Sequence, residues 1–126
     1  MGGATNRRSG HNLEREVAAD MRELTGQEYG TTRAIAPHLD GEGVDVFAFD
    51  GGFAIQAKNG LRPNHVSALM EAVGGAAVIK RQFGRDVIPV AVCHRKQSKG
   101  QSSIRTVTML YSTFKELVRE RSDVKE

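Results

Sequence analysis

Residues 44–58 read Val44-Asp-Val-Phe-Ala-Phe-Asp-Gly-Gly-Phe-Ala-Ile-Gln-Ala-Lys58. Two β-prone runs, 44–49 and 53–58, flank Asp50-Gly51-Gly52, a strong turn signal, so the stretch predicts a β-hairpin. In the second run Ile55 and Ala57 point to one face, toward a core, and Gln56 and Lys58 share the other. Lysine is depleted in strands and is rarely buried without a partner, so something on that face has to accept its charge. Asp45 is the candidate. With Gly51-Gly52 as the hairpin loop, Asp45 falls opposite Lys58; with Asp50-Gly51 as the loop, it falls opposite Gln56. Either register puts Asp45, Gln56 and Lys58 on one face, because paired residues point the same way. A regular loop one residue longer sends Asp45 to the opposite face, so the convergence depends on turn length.

Outward from the hairpin, Leu13, Val17, Met21 and Leu24 recur at helical spacing. Ser9 is a candidate N-cap and Gly26 a stop, which predicts a helix near 10–25. Residues 28–36 read as a short strand and 37–43 as a turn-rich loop. Downstream, Pro63 lies near the start of a second helix, about 63–83, with Val66, Leu69, Met70, Val73 and Ala77 on one face. Gly74-Gly75 weakens that helix and suggests close packing, including packing between subunits. Val87–Cys93 is a buried-type strand, with Pro89 suggesting an edge or a bulge. Residues 96–103 form a flexible basic loop and Ile104–Leu110 a further strand. Thr113 and Glu116 form a capping box for a last helix, about 114–121. The pattern is an α/β domain with a mixed sheet and helices on its faces. Residues 1–8 read as a flexible basic arm, 9–121 as one domain and 122–126 as a charged tail.

The chain has 126 residues, 39% hydrophobic and 26% charged, which fits one compact soluble domain. No apolar stretch approaches the roughly 18 residues of a membrane helix, and residues 1–10 lack the apolar core of a signal peptide. A single cysteine, Cys93, rules out an internal disulfide and a Cys-rich zinc site. The four histidines, His11, His38, His65 and His94, have no metal-ligand spacing. These features make an intracellular, cytoplasmic protein the expectation. The net charge is +3, and basic residues cluster at Arg7-Arg8, at Lys80, Arg81 and Arg85, and at Arg95, Lys96, Lys99 and Arg105. Such clusters suit a phosphate-rich partner or a solvated surface.

A carboxylate, an amide oxygen and a lysine on one strand pair suit phosphodiester hydrolysis. The two oxygens are hard ligands for Mg²⁺ or Mn²⁺. Such a metal acidifies a bound water and polarises the phosphoryl oxygen, and the lysine orients water or offsets developing charge. Gly43-Val44-Asp45, a ten-residue gap and Gln56-Ala57-Lys58 resemble the motif of the PD-(D/E)XK nuclease superfamily. Arg8-Ser-Gly-His-Asn-Leu-Glu14-Arg15-Glu16-Val17 is similar to the opening helix of archaeal-type Holliday junction resolvases. The resemblance covers roughly residues 7–95.

It implies a restriction-endonuclease-like αβββαβ core, a homodimer and metal-dependent cutting of four-way or other branched DNA. It also implies that Glu14 and Asp45 bind metal with help from Gln56, and that Lys58 orients water. Arg33 resembles an arginine near the scissile strand, and Arg7, Arg8, Arg95, Lys96 and Lys99 are the expected DNA contacts. Glu16 is an alternative carboxylate, but it lies roughly 200° around the helix from Glu14, so both cannot face one site. The resolvases carry Glu where this chain has Gln56. Gln-Ala-Lys resembles the form found in Mrr-like restriction nucleases, and Glu71 on the second helix is a possible substitute carboxylate. Two alternatives follow: an Mrr-like general nuclease, and a catalytically silent relative that binds branched DNA. A structural Asp45–Lys58 ion pair, and a Glu14 that only favours its helix dipole, are the readings without catalysis.

Overall fold

The structure, a computed structural model, describes residues 2–124, with side chains described for residues 10–122. Helix α1 (Gly2–Thr25) leads through strand β1 (Gly30–Thr31), the single-turn helix α2 (Thr32–Ile35) and a 3-10 turn (Pro37–Leu39) into β2 (Val46–Phe47) and β3 (Phe53–Gly60). Helix α3 (His65–Phe83) then crosses to β4 (Ile88–Arg95), and β5 (Ile104–Met109) and helix α4 (Tyr111–Val124) follow. The five strands form one mixed sheet in the order β1-β2-β3-β4-β5. Among the described residues only the β3–β4 pair is parallel, and α3 supplies the crossover that a parallel pair needs. No helix among the described residues is long and apolar enough to cross a membrane.

Each face of the sheet is covered by one helix. Leu13, Val17 and Ala18 of α1 pack on Val46, Ile55, Val90 and Val92, with Ala57 at the margin. Val78 and Ile79 of α3 pack on Phe47 and Ala54, and Ala68 and Leu69 on Ala91 and Cys93. Alternation along β3 therefore sends Ile55 and Ala57 to the α1 side and Gln56 and Lys58 to the α3 side. Asn64 caps α3 by accepting the Ser67 amide N–H at 2.9 Å. Gly84, at φ 69°, closes the helix in the left-handed conformation that glycine tolerates.

Several elements differ from expectation. Helix α1 runs through Ser9, which is not its cap, although it stops at Gly26 as expected. Leu24, expected on the buried stripe, is 79% exposed. The 28–36 strand shrinks to Gly30–Thr31, because the next turn folds Ile35 back over Gly30. β-branched residues alone cannot hold a strand whose partner β2 is equally short.

The buried face of α3 is also rotated from the expected one: Ala68, Leu69, Ala72, Gly75, Val78 and Ile79 face inward, whereas Val66 and Met70 are exposed. Ala68, Ala72 and Gly75 let the helix lie close to the sheet beside Leu69, Val78 and Ile79. Gly75 does serve close packing, but within the chain, against Glu42, Gly43 and Val44. Strand β4 is interior rather than an edge; Pro89 is tolerated because the β5 ladder begins at Val90. Helix α4 starts at Tyr111, so Thr113 lies inside its first turn rather than at a cap.

Candidate active site

The hairpin is wider than a tight two-residue loop. Gly51 donates to Ala48 across a turn, and regular pairing is limited to Val46 with Ile55 and Phe47 with Ala54. That register is the one expected for an Asp50-Gly51 loop, and continuing it sets Asp45 opposite Gln56. The chain bends at Asp45. Its amide N–H donates to the Ile55 carbonyl at 2.8 Å, and its own carbonyl accepts from the Thr32 N–H at 2.8 Å. Its carboxylate turns back on β3, where Oδ2 accepts the Ala57 N–H at 3.0 Å. Three backbone contacts thus fix one carboxylate and leave Oδ1 for other work.

What brings this bend against α3 is Gly43. Its φ of 98° lies in the region that side chains avoid, and a Cβ there would sit 2.1 Å from the Glu71 carbonyl oxygen. One turn on, a Cβ at Gly75 would meet the Val44 side chain at 2.3 Å. The paired glycines let the 42–44 segment lie directly on α3, which carries the Glu71 side chain to the Gln56–Lys58 face.

There Glu71 accepts the Gln56 Nε2–H through Oε1 at 3.1 Å and pairs with Lys58 Nζ through Oε2 at 3.3 Å. The acceptor of the Lys58 charge is therefore Glu71, not Asp45 as the strand spacing suggested; Asp45 is committed to the Ala57 N–H and feels Lys58 only at longer range. A carboxylate only accepts, so Gln56 must present its NH₂ to Glu71. Its Oε1 is left buried and without a hydrogen-bond partner among the described residues. A buried acceptor left unpaired costs about 1–3 kcal/mol.

Glu14 reaches the same region from α1. It pairs with Arg33 of α2 at 3.4 Å, and its side chain is only 13% exposed. Burial, with the Asp45 charge second, raises its pKa to about 7, against the opposing pull of Arg33. Burial also raises the Asp45 carboxyl, and the Ala57 N–H and Lys58 work against that rise. Asp40, in the loop before Gly43, pushes both upward. Glu16 points away from this region and pairs with Arg105 of β5 at 3.2 Å.

The bend before β2, β3 and α3 thus bring Asp45, Gln56 and Lys58 into one region, with Glu14 within electrostatic reach of Asp45. The sequence did not reveal the Glu14–Arg33 pair or the part played by Asp40, although Asp40 opens an acidic loop three residues before Gly43. Among the described residues no three His, Cys, Asp or Glu side chains form a group that could hold a metal. Any such site would have to use the Gln56 amide oxygen. Cys93 is buried, as expected, with its thiol pushed up by burial.

The side chains of Arg7 and Arg8 lie outside the described residues. Arg95 donates to the Ser102 carbonyl, and Lys99 is exposed near the tip of the 96–103 loop, which is pinched by a Ser98–Gln101 bridge. Lys80 and Arg105 are held by Asp86 and Glu16, and Arg85 donates to the Gly51 carbonyl. Comparison of the chain with family models, with curated proteins and with solved structures finds no match.

Proposed function

We propose that this cluster is the active centre of a divalent-metal-dependent phosphodiester hydrolase. Within that class, the resemblance of Gly43-Val44-Asp45, Gln56-Ala57-Lys58 and the α1 sequence favours an endonuclease of the restriction-endonuclease-like fold that cuts branched, four-way DNA as a homodimer. The observation that carries the reading is the unpaired, buried Gln56 Oε1, on the strand position that the hairpin register sets opposite Asp45 and with its amide nitrogen held by Glu71. Hard oxygen donors with one unsatisfied acceptor fit Mg²⁺ or Mn²⁺, which keeps several waters and takes few protein ligands. Asp45 Oδ1 and Gln56 Oε1 would hold the ion, with Glu14 or Glu71 as further carboxylate. When bound, the ion supplies Lewis-acid polarisation and a more acidic water.

The chain's own groups supply the rest. The Ala57 N–H holds Asp45 in one orientation. Lys58 Nζ, half exposed beside Glu71, can turn to a phosphoryl oxygen or to the attacking water and offset the charge that develops. Glu14, with a pKa near neutrality, can accept a proton at physiological pH. Twofold symmetry would place two such centres on the two strands of a junction.

The second reading, DNA binding without cleavage, is favoured by one feature: both Glu71 oxygens are already engaged, by Gln56 and by Lys58. Labelled four-way junctions and matched linear duplexes, incubated with Mg²⁺ or Mn²⁺, separate the two. Cutting of junctions that disappears in Asp45→Ala and Lys58→Ala is the expected result. Tight binding with no cutting in either metal would leave only the binding role. Equal cutting of linear DNA would point to a general nuclease.

A further inference from the structure

Beyond Lys58 on the α3 side of the sheet lies a cavity of about 590 Å³, within the size range of small-molecule sites. Three separate stretches build it: the turn after β3, the end of β4, and the segment leading into β5. Leu61, Pro63 and Ile104 supply apolar walls, and Arg62, His65 and Arg95 supply basic groups. No carboxylate lines it among the described residues. Neither Arg62 nor Arg95 pairs with a carboxylate among the described residues, so no direct ion pair offsets the positive charge at the cavity.

Arg95 is fixed there, with Nη2 donating to the Ser102 carbonyl at 2.9 Å, while its Nε is buried and unpartnered. The Lys96 N–H donates to the Gly60 carbonyl at 2.8 Å, which ties the two strand ends together. Helix α3 begins at His65 in the cavity wall, so the positive end of its dipole adds to the attraction for an anion.

The cavity adjoins the candidate active centre. Cys93, in its wall, pairs with Lys58 in the β3–β4 register, and Arg95 pairs with Gly60 two residues further on. That step is about 7 Å along a strand. A ligand here needs an anionic group for the arginines and a flat apolar body for the Leu61, Pro63 and Ile104 walls.

We propose that the cavity receives one unstacked nucleotide of a DNA strand, adjacent to the phosphodiester that the centre at Asp45 and Lys58 would cut. Apolar side chains can sandwich a base taken out of its stack, at a cost that falls where stacking is already interrupted, as it is at a branch point. The proposal rests on the nuclease reading for its substrate, but its test does not depend on cutting.

Amide NMR shifts are followed in EDTA while deoxynucleoside 5′-monophosphates, and separately inorganic phosphate, are titrated into the full chain. The expected shifts map to residues 61–65, 93–95 and 98–106. The nucleotide should bind at least tenfold tighter than phosphate, and Arg95→Gln should weaken it at least tenfold, since each charge-assisted contact is strong. Arg62→Gln and Leu61→Asp, at exposed loop positions, give the same reading if Arg95→Gln fails to fold. Equal affinity for phosphate and nucleotide would reduce the cavity to an anion site and overturn the proposal, as would shifts that do not map to these residues. Nucleotide binding without any DNA cutting would sink the nuclease reading alone, and cutting without nucleotide shifts would sink the cavity proposal alone.

Discussion

Glu14 shows how a single side chain links the fold to the chemistry. Burial raises its pKa from 4.5 to about 7, with Asp45 adding to the rise. The folded state therefore holds this proton more tightly than the unfolded chain does. Below about pH 4.5 both states are protonated and the group contributes nothing. As pH rises through 4.5 toward 7 the unfolded chain ionises first, and stability falls by roughly 3 kcal/mol in all. Glu14→Gln should thus be more stable than the parent at pH 8 and equal to it at pH 4. Urea denaturation across this range tests the point; parallel curves for the two proteins would refute it. An ordinary structural ion pair with Arg33 would show the opposite trend, with Glu14 stabilising at high pH.

At the scale of elements, the contact between the 42–44 segment and α3 sets the site. Gly43→Ala should lose about 2–4 kcal/mol, because it combines a positive φ with a backbone clash that cannot be relieved by a rotamer change. It should also lower any metal affinity, since Asp45 follows two residues later. Gly75→Ala meets a side chain as well as backbone and should lose less. Gly74→Ala has open space around its new methyl and should gain about 0.5–1 kcal/mol from helix propensity. Chemical denaturation of the three variants separates them; a loss at Gly74 as large as at Gly43 would contradict this account.

These positions also show what was legible in the sequence. The strand β3 and its two faces were readable, because alternation over six residues is a strong local signal. The even parity of the hairpin was readable as one of two registers. The partner of Lys58 was not. It depends on a close approach between a loop and a helix, and no local pattern encodes which residue of α3 lies above Gln56. The α3 face is hidden for the same reason: Ala68, Ala72 and Gly75 share it with Leu69, Val78 and Ile79, and such small residues leave no apolar stripe in the sequence.

Taken whole, the molecule brings the candidate site together from α1, α2, the bend before β2, β3 and α3. A divalent ion bound among these elements would act as a tie between them. Mg²⁺ should therefore raise the melting temperature at pH 8, where Glu14 is ionised, and much less at pH 5.5, where Glu14 stays protonated. Asp45→Ala should abolish the shift. Thermal unfolding with Mg²⁺ or EDTA at the two pH values reads this directly; an equal shift at both would remove Glu14 from the ligand set, and a shift that persists in the variant would place the ion elsewhere. The overall α/β class was readable from the order of helical and alternating patterns. The sheet order and the single parallel pair required the crossover by α3, which fixes the spatial neighbour of β3 as a strand 28 residues away from its last residue.

That parallel pair has a consequence for the life of the chain. β3 leaves the ribosome well before β4, yet β4 is the strand that flanks it in the sheet interior. Until residues 88–95 have been made, Gln56 and Lys58 sit on an open edge, and the start of α3 lacks the Ala91 and Cys93 it packs on. Long-range pairing of this kind is slow and leaves an intermediate with an unpaired strand. A nascent chain would therefore carry every residue of the candidate site without its geometry, and any chemistry at that site would have to wait until the sheet has closed.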